Sequence, residues 1–91
     1  MPPEATEKVI IQNQLGLHAR PATMFADVAQ AFTSSVSVKR GDETVDGKSI
    51  MHIMMLAAVK GTELEIRAEG DDADRCVRAL ADLVRRGFDE D

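Results

Sequence analysis

The sequence predicts an α+β fold, one sheet of four short strands covered on one face by three helices. Two periodicities and the composition carry that prediction. Apolar residues alternate with polar ones around Val9 and Ile11, Val36 and Val38, and Leu64, Ile66 and Ala68, as in half-buried strands. They recur at helical spacing at Ala22, Phe25, Ala29 and Phe32, and again from Ala73 to Val84. With 91 residues, 44% hydrophobic, no tryptophan or tyrosine and three phenylalanines, the chain reads as one domain, 1–91, with an aliphatic core. Pattern alone does not separate this fold from a ferredoxin-like sheet with an extra helix.

In chain order, residues 1–5 read as a loose lead-in. Residues 8–12 form the first strand, with Val9 and Ile11 as the inward pair. Asn13-Gln14-Leu15-Gly16 breaks it, and residues 19–32 make the first helix with Thr23, Asp27 and Gln30 on its outer side. Residues 35–39 alternate as a strand, Arg40-Gly41-Asp42-Glu43 turns, and Thr44-Val45 returns as a hairpin. Ser49 stands where its hydroxyl can cap a helix over residues 50–58. Gly61-Thr62 turns into the cleanest strand, where Leu64, Ile66 and Ala68 alternate with Glu63, Glu65, Arg67 and Glu69. Asp71 or Asp72 then caps a last helix whose Ala73, Cys76, Val77, Leu80, Leu83 and Val84 form one apolar stripe. Arg85 and Arg86 suit the negative end of that helix, and Gly87-Phe88 reads as its closing turn. The acidic residues 89–91 read as a solvated tail.

Composition excludes several classes of function. A net charge of −5 argues against a nucleic-acid binder. The longest apolar run, residues 53–59, is too short to cross a bilayer. The single Cys76 has no disulfide partner in the chain, which fits a reducing compartment, and the amino end shows no secretory signal. A cytoplasmic protein is expected. His18 and His52 lack the spacing of a helical metal pair, so neither a metal nor another cofactor is expected. Gly47-Lys48-Ser49 looks like the end of a nucleotide-binding loop, but Asp42 stands where that motif needs its first glycine.

The stretch Gly16-Leu17-His18-Ala19-Arg20-Pro21-Ala22 carries the chemistry. It places a histidine at the start of a helix, where backbone N–H groups lack partners and the helix dipole is positive. Proline is tolerated in that first turn because its missing N–H is not needed. A phosphoryl group on His18 would meet free amides and the planar fork of Arg20, which can bond two oxygens at once. The bland reading is a surface histidine and a solvated arginine, and these residues alone leave both open. The helix after Ser49 is apolar nearly all round. Ile53 and Leu56 make its inner pair, which leaves Ile50, Met51 and Met54 facing outward as a docking face or filling an irregular core.

The histidine stretch, with Gly47-Lys48-Ser49-Ile50-Met51, Leu56 and Gly61-Thr62 at their distances, resembles HPr, the family of histidine-containing phosphocarriers of the bacterial phosphoenolpyruvate phosphotransferase system. The likeness spans about residues 6–88. It implies an open-faced β-sandwich, an antiparallel four-stranded sheet with three helices on one face. It also implies a stoichiometric carrier, not an enzyme, and a monomer. Enzyme I would phosphorylate His18 on Nδ1, and the phosphoryl group would pass to a histidine of a downstream acceptor protein. Arg20 matches the arginine beside the phosphohistidine. Ser49 matches a serine phosphorylated by a dedicated kinase/phosphorylase in many members. Ile50, Met51 and Met54, with Thr23 and Met24 of the first helix, match the partner-binding face.

Two departures bear on the branch of the system. Leu15 stands where sugar-branch members carry a small polar residue, and with the ending Gly87-Phe88-Asp89-Glu90-Asp91 it resembles the nitrogen-branch relative NPr. Asp27 and Gln30 replace lysines common in the sugar branch, whereas Gly47-Lys48-Ser49 fits serine-regulated HPr. The alternatives are therefore a nitrogen-branch carrier and a regulatory module in which phospho-Ser49 meets a transcriptional regulator. A ligand-sensing ferredoxin-like domain would leave His18 and Arg20 without a task.

Overall fold

The computed structural model describes residues 2–90; Met1 and Asp91, the outermost residues of the expected lead-in and tail, lie outside the described residues. The elements follow in the order β1 (Glu4–Ile10), α1 (Ala19–Gln30), β2 (Ser35–Arg40), β3 (Glu43–Asp46), α2 (Ile50–Met55), β4 (Glu63–Glu69) and α3 (Ala73–Arg85). A single 3-10 turn, Gly87–Asp89, follows α3. The four strands form one sheet in the order β1-β4-β2-β3, and every neighbouring pair is antiparallel. Its apolar side packs on the helices around one core that includes Val9, Phe25, Val38, Ile53, Leu64, Leu80 and Phe88. The opposite side carries polar residues such as Ser37, Lys39, Glu65 and Arg67. This is the open-faced sandwich.

The first strand is longer at its start than the pattern predicts. Residues 4 and 5 do not belong to a loose lead-in. Glu4 pairs with Glu69 and Ala5 with Ala68, and the register continues to Ile10 opposite Glu63. The Arg67 guanidinium bonds the Glu4 carboxylate at 2.7 Å, and the Gly70 N–H donates to the Pro3 carbonyl at 2.8 Å. Glu4, Thr6 and Lys8 face solvent and Glu7 is only partly covered, so no hydrophobic alternation marks this half. Backbone pairing to β4 makes it a strand. Val9 and Ile11 are buried as expected, although Ile11 lies just past the strand.

The second helix is shorter than expected. It ends at Met55, not at residue 58, and Ala57 takes the left-handed conformation with φ 49°. The reason is tertiary. The Leu56 carbonyl accepts a 2.7 Å bond from Arg40, and the Ala58 carbonyl accepts the N–H of Leu17 at 2.9 Å. The backbone turns out of the helix to hold the histidine loop. The first helix likewise closes at Gln30, two residues earlier than expected.

Asp72 sits at the start of α3, but its carboxylate does not cap that helix. It accepts the backbone N–H groups of Thr33 and Ser34 at 2.9 and 3.0 Å, along with both their hydroxyls. The α1–β2 connection is thereby clamped to α3. Cys76 is a small core residue, and burial pushes its thiol pKa up.

Candidate functional site

Gly16 shapes the loop that delivers the histidine. Its φ is 64°, and a Cβ there would stand 2.2 Å from the Ala58 carbonyl oxygen, so no other residue fits without displacing backbone. Asn13 braces the loop from inside by donating from Nδ2 to the Gly16 carbonyl at 2.8 Å. Leu17 is buried beneath it. His18 then takes the N-cap position of α1 with extended backbone, and its carbonyl accepts the Ala22 N–H at 3.0 Å. Its side chain makes no capping bond, so the ring is available for other work.

That ring meets a carboxylate. Nε2 of His18 lies 3.1 Å from Oε1 and 3.0 Å from Oε2 of Glu90. Glu90 Oε1 also accepts from Asn13 Nδ2 at 3.0 Å. The hydrogen bond from His18 holds the Glu90 carboxyl below its ordinary pKa against some desolvation, helped by Asn13 and the charge of Arg20. A carboxylate acceptor places the ring proton on Nε2 and leaves the lone pair on Nδ1. Among the described residues Nδ1 has no hydrogen-bond partner. Arg20, exposed on the first turn of α1, shares a cleft with Met24, Phe88, Asp89 and Glu90.

The expectation of a merely solvated tail is corrected here. Gly87 and Phe88 both adopt left-handed φ, 66° and 57°, and Phe88 is buried in the core. This turn sends the chain back across the start of α1. Asp89 remains exposed beside Arg86, while the Glu90 side chain is only 18% exposed. Sequence reasoning missed both Glu90 and Asn13. The Gly87-Phe88 turn was the available signal, because a buried aromatic after the last helix obliges the tail to fold inward.

Ser49 caps α2, its Oγ accepting the His52 N–H at 3.2 Å. The preceding residues are tied down as well. Lys48 donates from Nζ to the Phe32 carbonyl at 2.8 Å, and Gln30 donates to the Lys48 carbonyl at 2.9 Å. A Cβ on Gly47 would lie 2.4 Å from a methyl of Val36. Ile53 of α2 and Leu56, just past its end, are buried. Ile50, Met51 and Met54 face outward, Met51 at 73% exposure, and Met55, Val59 and Leu15 are exposed too, which the sequence reading did not include. Gly16 lies against Ala58 and Val59, so the exit of α2 adjoins the histidine loop. Thr23 is exposed, and Met24 is half-buried beside Arg20.

A family sequence model described as "PTS HPr component phosphorylation site" matches residues 5–86. The phosphocarrier protein HPr of Pseudomonas aeruginosa is 49% identical, with 91% of this chain and 93% of that protein covered. HPr of Neisseria meningitidis serogroup A is 46% identical, over 92% of this chain and 94% of the relative. A crystal structure of HPr-C-His from Thermoanaerobacter tengcongensis superposes with a TM-score of 0.91 at 39% identity, covering 96% of this chain and 98% of its own. Helices, open sheet and histidine loop are those of a phosphocarrier, and the chain belongs to the HPr family of the phosphotransferase system.

Proposed function

We propose that His18 accepts a phosphoryl group on Nδ1 from phospho-Enzyme I and passes it to a histidine of a downstream acceptor protein. The observation that carries this reading is the division of labour on the ring, with Nε2 engaged by Glu90 and Nδ1 without a partner among the described residues. The transferred group would lie at the start of α1, where unpaired amides and the helix dipole favour its negative charge. Arg20 would bond its oxygens as charge shifts during displacement. The protein is then a stoichiometric carrier and not an enzyme with a substrate pocket. The relatives above carry the HPr name, which favours this reading over the nitrogen-branch one. The test is incubation with phosphoenolpyruvate and Enzyme I, followed by mapping of the label. His18→Ala is expected to abolish labelling with circular dichroism unchanged; undiminished label, or label on His52, refutes the assignment.

Ile50, Met51 and Met54 form the core of the partner face in this reading. They are large, apolar and exposed, and methionine adapts to differently shaped partners. Met51→Glu should raise the Kd for Enzyme I at least tenfold by isothermal titration, while the melting temperature stays within a few degrees. An unfolded variant would mean that the methionine is core. Ser49 is read as the regulatory site, a target for a kinase/phosphorylase and, once phosphorylated, for a transcriptional regulator. The observation favouring this second role is its place at the entry of the same helix.

A further inference from the structure

We infer that Glu90 is a positioning residue for phosphoryl transfer, holding the Nε2 proton of His18 so that Nδ1 attacks and the ring can carry positive charge. The inference rests on the phosphocarrier reading of His18 and deepens it. Its basis is a carboxylate held on two sides. Both Glu90 oxygens lie within 3.1 Å of His18 Nε2, and Oε1 also receives Asn13 Nδ2 at 3.0 Å. Asn13 is only 2% exposed and is itself fixed to the Gly16 carbonyl. Phe88, two residues before Glu90, is anchored in the core. The carboxylate is therefore presented to the ring by packing, not by chance on a free tail. Carboxylates placed behind a working histidine fix its tautomer and raise its basicity in hydrolases and metal sites alike.

The transfer step balances without moving a proton. The Nδ1 lone pair forms a bond to phosphorus while the donor's bond to phosphorus breaks, its electron pair staying with the donor. The ring becomes cationic, and the Nε2–H that shares this charge faces the Glu90 carboxylate. In onward transfer the Nδ1–phosphorus bond breaks and its pair returns to Nδ1. A ring that keeps its Nε2 proton leaves as neutral imidazole, so the same carboxylate eases departure. The charged groups facing this contact are Arg20 from α1, whose charge favours ionised Glu90, and Glu90 itself. Asp89 is turned to Arg86 at 3.2 Å.

Glu90→Gln keeps the side chain's shape and removes its charge. With phosphoenolpyruvate and Enzyme I, this variant should show a kcat about tenfold lower with KM unchanged, the low end for loss of a group behind a functional histidine. Hydrolysis of the isolated phosphoprotein should rise only at lower pH than in the parent. A change in KM alone, or an unchanged kcat and hydrolysis profile, overturns the inference. Nitrogen-15 NMR of the unmodified protein reads the contact without Enzyme I: the Nε2 proton should exchange slowly with water in the parent and fast in Glu90→Gln. Fast exchange in the parent overturns the inference even if His18 is phosphorylated. A parent chain that takes no phosphoryl group on His18 overturns the phosphocarrier reading itself, whatever the NMR shows.

Discussion

Two helix entrances in this molecule use their capping positions in opposite ways. At α2, Ser49 turns its hydroxyl to the His52 N–H and satisfies its own helix. At α1, His18 occupies the same position but makes no capping bond, and its ring reaches Glu90, 72 residues later. A cap that serves its own helix adds stability, typically about 1 kcal/mol. A cap that leaves the amides unpaired keeps them for an anion. The third entrance, at α3, shows another solution, since Asp72 ignores its helix and clamps Thr33 and Ser34. Position at a helix start thus does not decide what a polar side chain does. The neighbour it reaches does.

The comparison sharpens first at Arg20, two residues beyond the histidine cap. Arg20→Ala should slow phosphoryl transfer about tenfold to a hundredfold, somewhat less than loss of a buried oxyanion donor because Arg20 is exposed. Rapid-quench kinetics with phospho-Enzyme I measures this, and normal rates in both directions would remove Arg20 from the site. Next comes the serine cap. Phosphate on Ser49, mimicked in part by Ser49→Asp, places negative charge beside the exposed apolar face proposed for docking while the helix start still tolerates it. The initial rate of phosphohistidine formation should fall by about tenfold, corresponding to about 1.4 kcal/mol of lost association. Ser49→Ala should leave that rate alone and cost about 1 kcal/mol in urea unfolding. Equal rates for all three proteins would make Ser49 a helix cap only.

The smallest effect belongs to Asp72 and depends on pH. Hydrogen bonds from the Ser34 hydroxyl and the Thr33 amide hold its carboxyl well below the usual carboxylate range, against a desolvation that acts the other way. A depressed folded pKa stabilises the fold above the unfolded value, and that contribution is lost as pH falls. The unfolded carboxyl titrates near pH ~3.9. Asp72→Ala should therefore lower the melting temperature at neutral pH, with the gap closing progressively below pH ~4. A gap of constant size down to acid pH would show that the ionised carboxylate is not what holds the α1–β2 connection.

The sequence by itself determined the order of elements and most of the core. Leu64, Ile66 and Ala68 alternate so cleanly, and Ala73 to Val84 repeat so regularly, that only one face of each can be buried. It also marked His18, Arg20 and Ser49, because Pro21 and the residue types around them announce helix starts. Tertiary structure decided the rest. The polar start of β1 became a strand because β4 supplies its backbone partners. α2 stops at Met55 because Arg40 and Leu17 take the carbonyls of Leu56 and Ala58. Glu90 joined the histidine because the Gly87-Phe88 turn, anchored by a buried ring, brings the tail home. Local periodicity reports which face of an element is apolar. It carries no information about which distant side chain fills a hydrogen bond, since that depends on packing between elements far apart along the chain.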